Sequence, residues 1–211
     1  MRRGILGGTF DPIHTGHLIL AQEMLWRLGL DEMWFMPAGL PWMKRDEPLS
    51  DQEHRREMVE LAIAGDPRFH CSSMELDRPG ETYTVDTLEE LRAGDMAQDE
   101  LLLVMGVDTL NTMHLWKRPD RILELARLAV AIRPGHQGMD LRELEAIDPT
   151  AGERIMSVRM PLIEISGTEL RRRVSVGEPV RYLVPEPVAE YIEVHGLYRG
   201  DRKAAAAGTG G

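Results

Sequence analysis

Two imidazoles three residues apart, His14 and His17, close the segment Gly7-Gly8-Thr9-Phe10-Asp11-Pro12-Ile13-His14-Thr15-Gly16-His17. On a starting helical turn that spacing puts both rings on one side. Imidazoles donate hydrogen bonds, and they carry positive charge when protonated, so such a pair suits a phosphate chain. Gly7 and Gly8 lack a Cβ, which lets a phosphate lie close to the backbone. Pro12 stiffens the loop by fixing φ, and Gly16 lets the helix start pack closely. The short apolar run Ile5-Leu6 precedes the segment, and Leu18, Ala21, Leu25 and Leu28 follow it at helical spacing. A strand therefore turns into a helix here. The N-terminus of a helix has unpaired N–H groups and the positive end of the peptide dipole, so the turn can hold a polyphosphate. Its spacing matches neither the Walker A loop nor GxGxxG. Two plainer readings exist. The histidines could be structural, or His14-x-x-His17 could be half of a zinc site. For zinc, no third ligand stands at recognisable spacing, and Cys71 is the sole cysteine.

The elements that must position this turn follow from the apolar pattern. Strands are expected at Arg3–Gly7, Glu32–Met36, Phe69–Met74, Leu101–Met105, Leu128–Ile132 and Arg154–Met160. Helices are expected at Gly16–Leu28, Asp51–Ala64, Val85–Ala93, Pro119–Leu125, Leu141–Ile147, Thr168–Val174 and Pro187–His195. Ser50-Asp51-Gln52-Glu53 reads as a cap followed by an acid in the first turn. Pro119 and Pro187 fall where a first turn tolerates proline. The alternation implies an α/β fold: one Rossmann-like, doubly wound parallel sheet with helices on both faces. Ligands of such sheets bind outside the carboxyl ends of the strands. Gly7, Gly106 and the stretch Met36–Gly39 all lie there.

The chain has 211 residues, 43% of them hydrophobic and 28% charged, which fits one domain with a real core. That domain is expected over 1–199. The stretch 200–211 has no periodicity and is expected to be a disordered tail. A single cysteine excludes an internal disulfide framework and suits a reducing compartment. Met1-Arg2-Arg3 leads straight into a strand, and no apolar run reaches membrane-span length, so the expectation is a cytoplasmic protein without a membrane partner. The net charge of −10 argues against a long nucleic-acid surface. It leaves room for a nucleotide site, which needs only a few local cations.

Other segments hold residues that could touch a ligand. Lys44 follows Pro37-Ala38-Gly39-Leu40-Pro41, where a long cation could reach a phosphate or could simply face solvent. Thr84 stands where Glu81-Thr82-Tyr83 enters a helix and reads as an N-cap, with Thr87 three positions on. Asp108, two residues past Gly106, could accept hydrogen bonds from ribose hydroxyls or cap the next helix. Trp116, beside Lys117, offers an indole face for stacking, or a core side chain. Ser166 and Glu169 form a capping box. Arg171, Arg172 and Arg173 fan out at successive helical angles, so not all can face one ligand.

Gly8 to His17 resembles the GxFDPxHxGH signature of the nucleotidyltransferase α/β-phosphodiesterase superfamily. From about Arg3 to Tyr198 the chain is similar to the bacterial nicotinate-nucleotide adenylyltransferases within it. That resemblance implies ATP and nicotinate mononucleotide as partners, a magnesium ion with the ATP, and a monomer or homodimer. It implies nucleotide contacts at Gly7, Gly8, Thr9, Phe10, Gly16, Gly106, Asp108, Ser166 and Thr168, with His14, His17 and Arg171 serving the transfer. It places Lys44, Thr84, Trp116 and Lys117 on the acceptor side: Thr84 in the loop that holds the pyridine carboxylate, Trp116 as its stacking platform. The family's second signature, Ser-Ser-Thr-x-x-Arg, falls at Ser166 to Arg171, but Gly167 stands where the middle serine is usual. Rival acceptors within the superfamily are nicotinamide mononucleotide and phosphopantetheine. A rival of another class is a nucleotide-binding regulator without catalysis.

Overall fold

Strands and helices alternate as the apolar pattern requires. The computed structural model describes residues 1–41, 49–135 and 138–199. In chain order these form β1 (Arg2–Gly8), α1 (Thr15–Leu28), β2 (Glu32–Pro37), β3 (Leu40–Pro41), α2 (Gln52–Ile63), β4 (Phe69–Cys71), β5 (Glu81–Thr82) and α3 (Thr84–Ala93). Then follow β6 (Glu100–Gly106), α4 (Val107–Thr112), α5 (Pro119–Leu125), β7 (Arg127–Ile132), α6 (Arg142–Ile147), β8 (Ile155–Arg159), α7 (Gly167–Val176) and α8 (Glu186–Val194). Six strands make one parallel sheet in the order β4-β2-β1-β6-β7-β8. The strand order reverses between β1 and β6. In a doubly wound sheet the crevice at the carboxyl ends of those two strands is where a ligand fits. Gly7 and Gly8 end β1, and Gly106 ends β6.

Side chains alternate between the two faces with the period of a strand. Leu6, Phe35, Val104 and Ala131 pack on one face with Met24 of α1, Met58 of α2, Leu170 of α7 and Val188 of α8. Ile5, Met36, Leu103 and Val130 pack on the other with Leu88 of α3, Leu110 of α4, Leu123 of α5 and Leu144 of α6. Covered on both sides, β6 reads as the unbroken apolar run Leu101–Met105.

All six expected strands are present, with two trimmed: β4 stops at Cys71 rather than Met74, and β8 runs only from Ile155 to Arg159. Thr84 is not the N-cap of its helix. Tyr83 occupies that position, and Thr84 is the first helical residue. The short β3 and β5 pair in parallel and tie the loop after β2 to the loop before α3. The signal for α4 is too brief to read in advance, because its six residues give less than two turns. Lys44 and the stretch 200–211 lie outside the described residues.

Candidate active site at the carboxyl edge of the sheet

A cleft of about 360 Å³ opens at the crossing of β1 and β6. Its walls are the loop after β1, the start of α1, Gly106, the residue after β7, and the start of α7. The sequence-expected residues Thr9, Phe10, His14, Gly16, His17, Gly106, Ser166, Thr168 and Arg171 all line it.

The His17 imidazole closes the start of its own helix. His14 is the N-cap of α1, in extended backbone conformation. Its N–H donates to His17 Nδ1 at 3.3 Å. The rings stack with centroids 3.7 Å apart, and Phe10 meets His17 edge-on at 5.0 Å. A nitrogen that accepts carries no proton, so the His17 proton sits on Nε2. That leaves Nε2–H as the donor for the cleft.

Both rings are neutral at neutral pH, so what they can offer a phosphate there is a hydrogen-bond donor and not a charge. His14 is only 7% exposed. Burial, with the nearby Arg133 guanidinium adding to it, lowers its pKa to about 4. Burial, then His14 and Arg133, hold His17 well below the ordinary imidazole value.

Below the unfolded value near 6.5 the unfolded chain takes up a proton that native His14 refuses until about pH 4. Stability contributed by this site is therefore intact above pH 6.5 and falls as the pH drops from 6.5 to 4, by about 3 kcal/mol. Urea unfolding of wild type and His14→Asn at pH 7 and pH 4.5 checks it. The variant is expected to lose markedly less between the two pH values. Equal losses would mean that His14 titrates normally.

At the opposite wall, Ser166 caps α7 by accepting the Glu169 N–H at 3.2 Å. The expected capping box is only half made: the Glu169 carboxylate turns instead to Arg172, at 2.8 Å. Arg172 also reaches Glu178, and Arg173 lies beside both acids, so neither faces the cleft as a free cation. Arg171 points the other way. Its Nη1 donates to the Asp11 carbonyl at 2.8 Å, and its Nη2 lies 3.4 Å from Thr168 Oγ1. The first and second signatures are thus joined directly, 160 residues apart.

The remaining expected residues separate. A Cβ at Gly7 or Gly106 would meet nothing within 4 Å, so both strand ends leave open space above the backbone. Gly8 differs: a Cβ there would lie 3.2 Å from the Phe10 ring. The Phe10 ring is itself buried, 1% exposed, against Phe35. From there it packs edge-on against His17 at the cleft wall. Asp108 is an exposed residue in the first turn of α4, whose N-cap is Gly106, so it does not cap that helix. Thr84, Trp116 and Lys117 are not among the residues that line the cleft. Lys117 is not free, because Asp86 takes its ammonium at 2.9 Å and the Tyr83 ring lies under it at 4.5 Å. Trp116 is half-buried against the α3–α6 side of the core.

Three functional candidates escape sequence reading. Arg133, immediately after β7, lines the cleft next to both imidazoles. Its signal was a cation directly following an apolar strand. Arg55 is 1% exposed and donates to the carbonyls of Thr9, Ala38, Gly39 and Ser50. It staples the loops after β1 and β2 to the start of α2. Tyr198 donates to Asp11 Oδ1 at 2.5 Å from the far end of the chain.

Comparison with known proteins bears on this arrangement. The family model described as cytidylyltransferase-like matches residues 5–173. A protein of Thermomicrobium roseum, named as a probable nicotinate-nucleotide adenylyltransferase, is 46% identical over 198 residues, covering 94% of this chain and 92% of its own. One of the same name from Roseiflexus sp. is 45% identical, covering 93% and 97%. The chain belongs to the cytidylyltransferase-like family, in its nicotinate-nucleotide adenylyltransferase branch. Among solved structures, the Plasmodium falciparum nicotinic acid mononucleotide adenylyltransferase complexed with NaAD superposes with a TM-score of 0.74 at 18% identity, covering 93% of this chain and 97% of that one. At that identity the likeness shows the fold, a Rossmann-like parallel sheet. For this family member the cleft between β1 and β6 is the place to seek chemistry. Among the described residues, no helix is long and apolar enough to cross a membrane.

Proposed function

We propose that this chain is a nicotinate-nucleotide adenylyltransferase, joining ATP and nicotinate mononucleotide into the deamido dinucleotide with release of pyrophosphate. The single observation that carries the reading is the cleft at the strand-order switch. In a chain of net charge −10, it gathers two imidazole donors, Arg133 and Arg171 onto one concave surface. Anionic polyphosphate is the ligand such a surface attracts.

The chemistry asks little of a general base. The acceptor phosphate is already an anion. One of its oxygens attacks the α-phosphorus of ATP, the bond from that phosphorus to the β-bridging oxygen breaks, and pyrophosphate leaves with the electron pair. The protein must offset repulsion between anions, align the attack, and receive charge on the leaving group. His14 and His17 would meet the phosphates through neutral Nε2–H donors, backed by the N-terminal N–H groups of α1. Arg171, Thr168 and Ser166 would take the β and γ phosphates from the opposite wall, and Arg133 would add a third side. Thr9, Gly16 and the open strand ends at Gly7 and Gly106 would let the nucleotide lie against the backbone.

ATP would enter as its magnesium complex. Among the described residues, no three acidic, imidazole or thiol side chains converge to hold a metal ion; on this reading the ion would come with the substrate and offset phosphate charge. The acceptor would lie toward Thr84 and Trp116. With Lys117 engaged by Asp86, a pyridine carboxylate there would rely on the backbone N–H groups that begin α3. Lys44 is assigned to a phosphate on the resemblance of its segment.

Supplying ATP with nicotinate mononucleotide, nicotinamide mononucleotide or phosphopantetheine in parallel tests this. Pyrophosphate release is expected with the first at a kcat/KM at least about tenfold above the other two, as a site built for a charged group discriminates against analogues lacking it. Preference for phosphopantetheine would move the chain to another branch. No release with any acceptor would leave a nucleotide-binding regulator.

A further inference from the structure

Asp11 is held from three directions, and none of its partners is close in sequence. Its carboxyl accepts from Tyr198 at Oδ1, 2.5 Å, and from the Ser50 N–H at Oδ2, 3.1 Å. Its carbonyl accepts from Arg171 Nη1 at 2.8 Å. The residue is 2% exposed, so none of these donors can be replaced freely by water. Arg55 fixes the floor beneath it, donating to the Thr9 carbonyl at 3.0 Å and the Ser50 carbonyl at 3.1 Å. Tyr198 in turn sits in a left-handed conformation, φ 60°, four residues past α8. The chain before it is pinned by the Leu197 N–H to the Ile192 carbonyl at 3.0 Å.

Gly167 gives Asp11 and Arg171 room to approach each other. A Cβ there would lie 3.0 Å from the Asp11 carbonyl oxygen and 3.4 Å from Arg171 Nη1. With no side chain at 167, the carbonyl can serve as a fixed rest for the guanidinium.

We propose that Tyr198 and Asp11 are positioning residues for Arg171: the C-terminal segment anchors the Asp11 carboxyl, and the Asp11 carbonyl thereby sets the angle at which Arg171 meets the pyrophosphate half of the nucleotide. Tyr198 does not line the cleft and touches no substrate in this reading. It acts through one residue on another, across 187 positions of sequence to Asp11. The inference rests on the proposed role of Arg171 as a pyrophosphate ligand.

A double-mutant cycle with inorganic pyrophosphate as the calorimetric probe, run beside steady-state kinetics, tests it. Tyr198→Phe keeps the ring and removes only the donor. It is expected to weaken pyrophosphate binding and lower kcat about tenfold, leaving KM for the acceptor unchanged. In an Arg171→Ala background, the same change is expected to cost no further pyrophosphate affinity. Asp11→Asn, which weakens the anchor but keeps the carbonyl, is expected to show the same dependence on Arg171 at smaller size. It serves should Tyr198→Phe fold poorly by thermal melt. Equal losses in both backgrounds, or wild-type pyrophosphate binding in Tyr198→Phe, would overturn the positioning role. Absence of adenylyl transfer in the wild type would instead overturn the functional reading, and the calorimetric cycle would still report on the coupling.

Discussion

His17→Asn is expected to cut kcat about a hundredfold while leaving the fold intact. The choice of Asn matters. Its amide oxygen reaches about as far as imidazole Nδ1, so it can still accept the His14 N–H that now lies 3.3 Å from that nitrogen. What it lacks is a donor where Nε2 stood. His17→Ala removes both, and the stacking partner of His14 as well, so its loss mixes catalysis with the capping of α1. If His17 works only as a helix cap, Asn should be nearly silent and Ala should fail by unfolding. If it works as a neutral donor to the phosphates, both variants lose kcat alike, and only Ala loses melting temperature. Steady-state kinetics with saturating ATP and nicotinate mononucleotide, on protein checked by thermal melt, separates the cases. Turnover of the Asn variant within about threefold of wild type would take His17 out of the mechanism.

The neutrality of the pair fits this role. A charged imidazolium would bind ATP and pyrophosphate alike, which strengthens ground states as much as the transition state. Fixed N–H dipoles with guanidinium groups on the other walls divide the work differently. On the proposed reading the arginines would draw the anion and the imidazoles would orient it. The cost is the acid-side loss of stability expected for His14.

How much of this could be read from the chain follows from how local each feature is. The turn from Gly7 to His17 and the segment from Ser166 to Arg171 are contiguous, and their chemistry shows in the residues themselves. The sheet was almost as legible, because β1, β2, β6, β7 and β8 each span five to seven residues around their apolar positions, and only β4 is shorter, at three. Arg55 was hidden for a different reason. Surrounded by Glu53, Arg56 and Glu57, it looks like one more charge on a solvated helix face. Yet Arg55, Met58, Val59 and Ile63 are together the buried residues of α2. Including the arginine in the helical periodicity would have placed it inside. Tyr198 gave no signal at all, since its partner is 187 residues away and it follows the last periodic element. The neutral state of His14 was likewise out of reach, because burial and Arg133, supplied by a different strand, produce it. Thr84 missed its cap position by one residue, an error of boundary and not of element.

Arg171→Ala is expected to be the most damaging single change, lowering kcat about a thousandfold, the scale on which a fixed guanidinium at a transferring phosphoryl group acts. The geometry says why Lys cannot replace it. One guanidinium nitrogen is committed to the Asp11 carbonyl at 2.8 Å and the other lies by Thr168, which fixes the plane of the group and leaves its remaining N–H donors for the cleft. An ammonium has charge but no such fork, so it can rest on the carbonyl or reach the ligand, not both in one fixed geometry. Arg171→Lys is accordingly expected to recover no more than about tenfold over Ala. The loss should also be specific to the leaving half of ATP. Charge gathers on the bridging oxygen as pyrophosphate departs, and on the proposed reading that half would lie against the start of α7. AMP, which lacks it, is expected to bind Arg171→Ala within about twofold of wild type, while inorganic pyrophosphate binds far more weakly. Calorimetry with those two ligands reads the difference directly. Equal weakening of both would place Arg171 on the adenylyl group, and the leaving group would then need its cation from Arg133 instead.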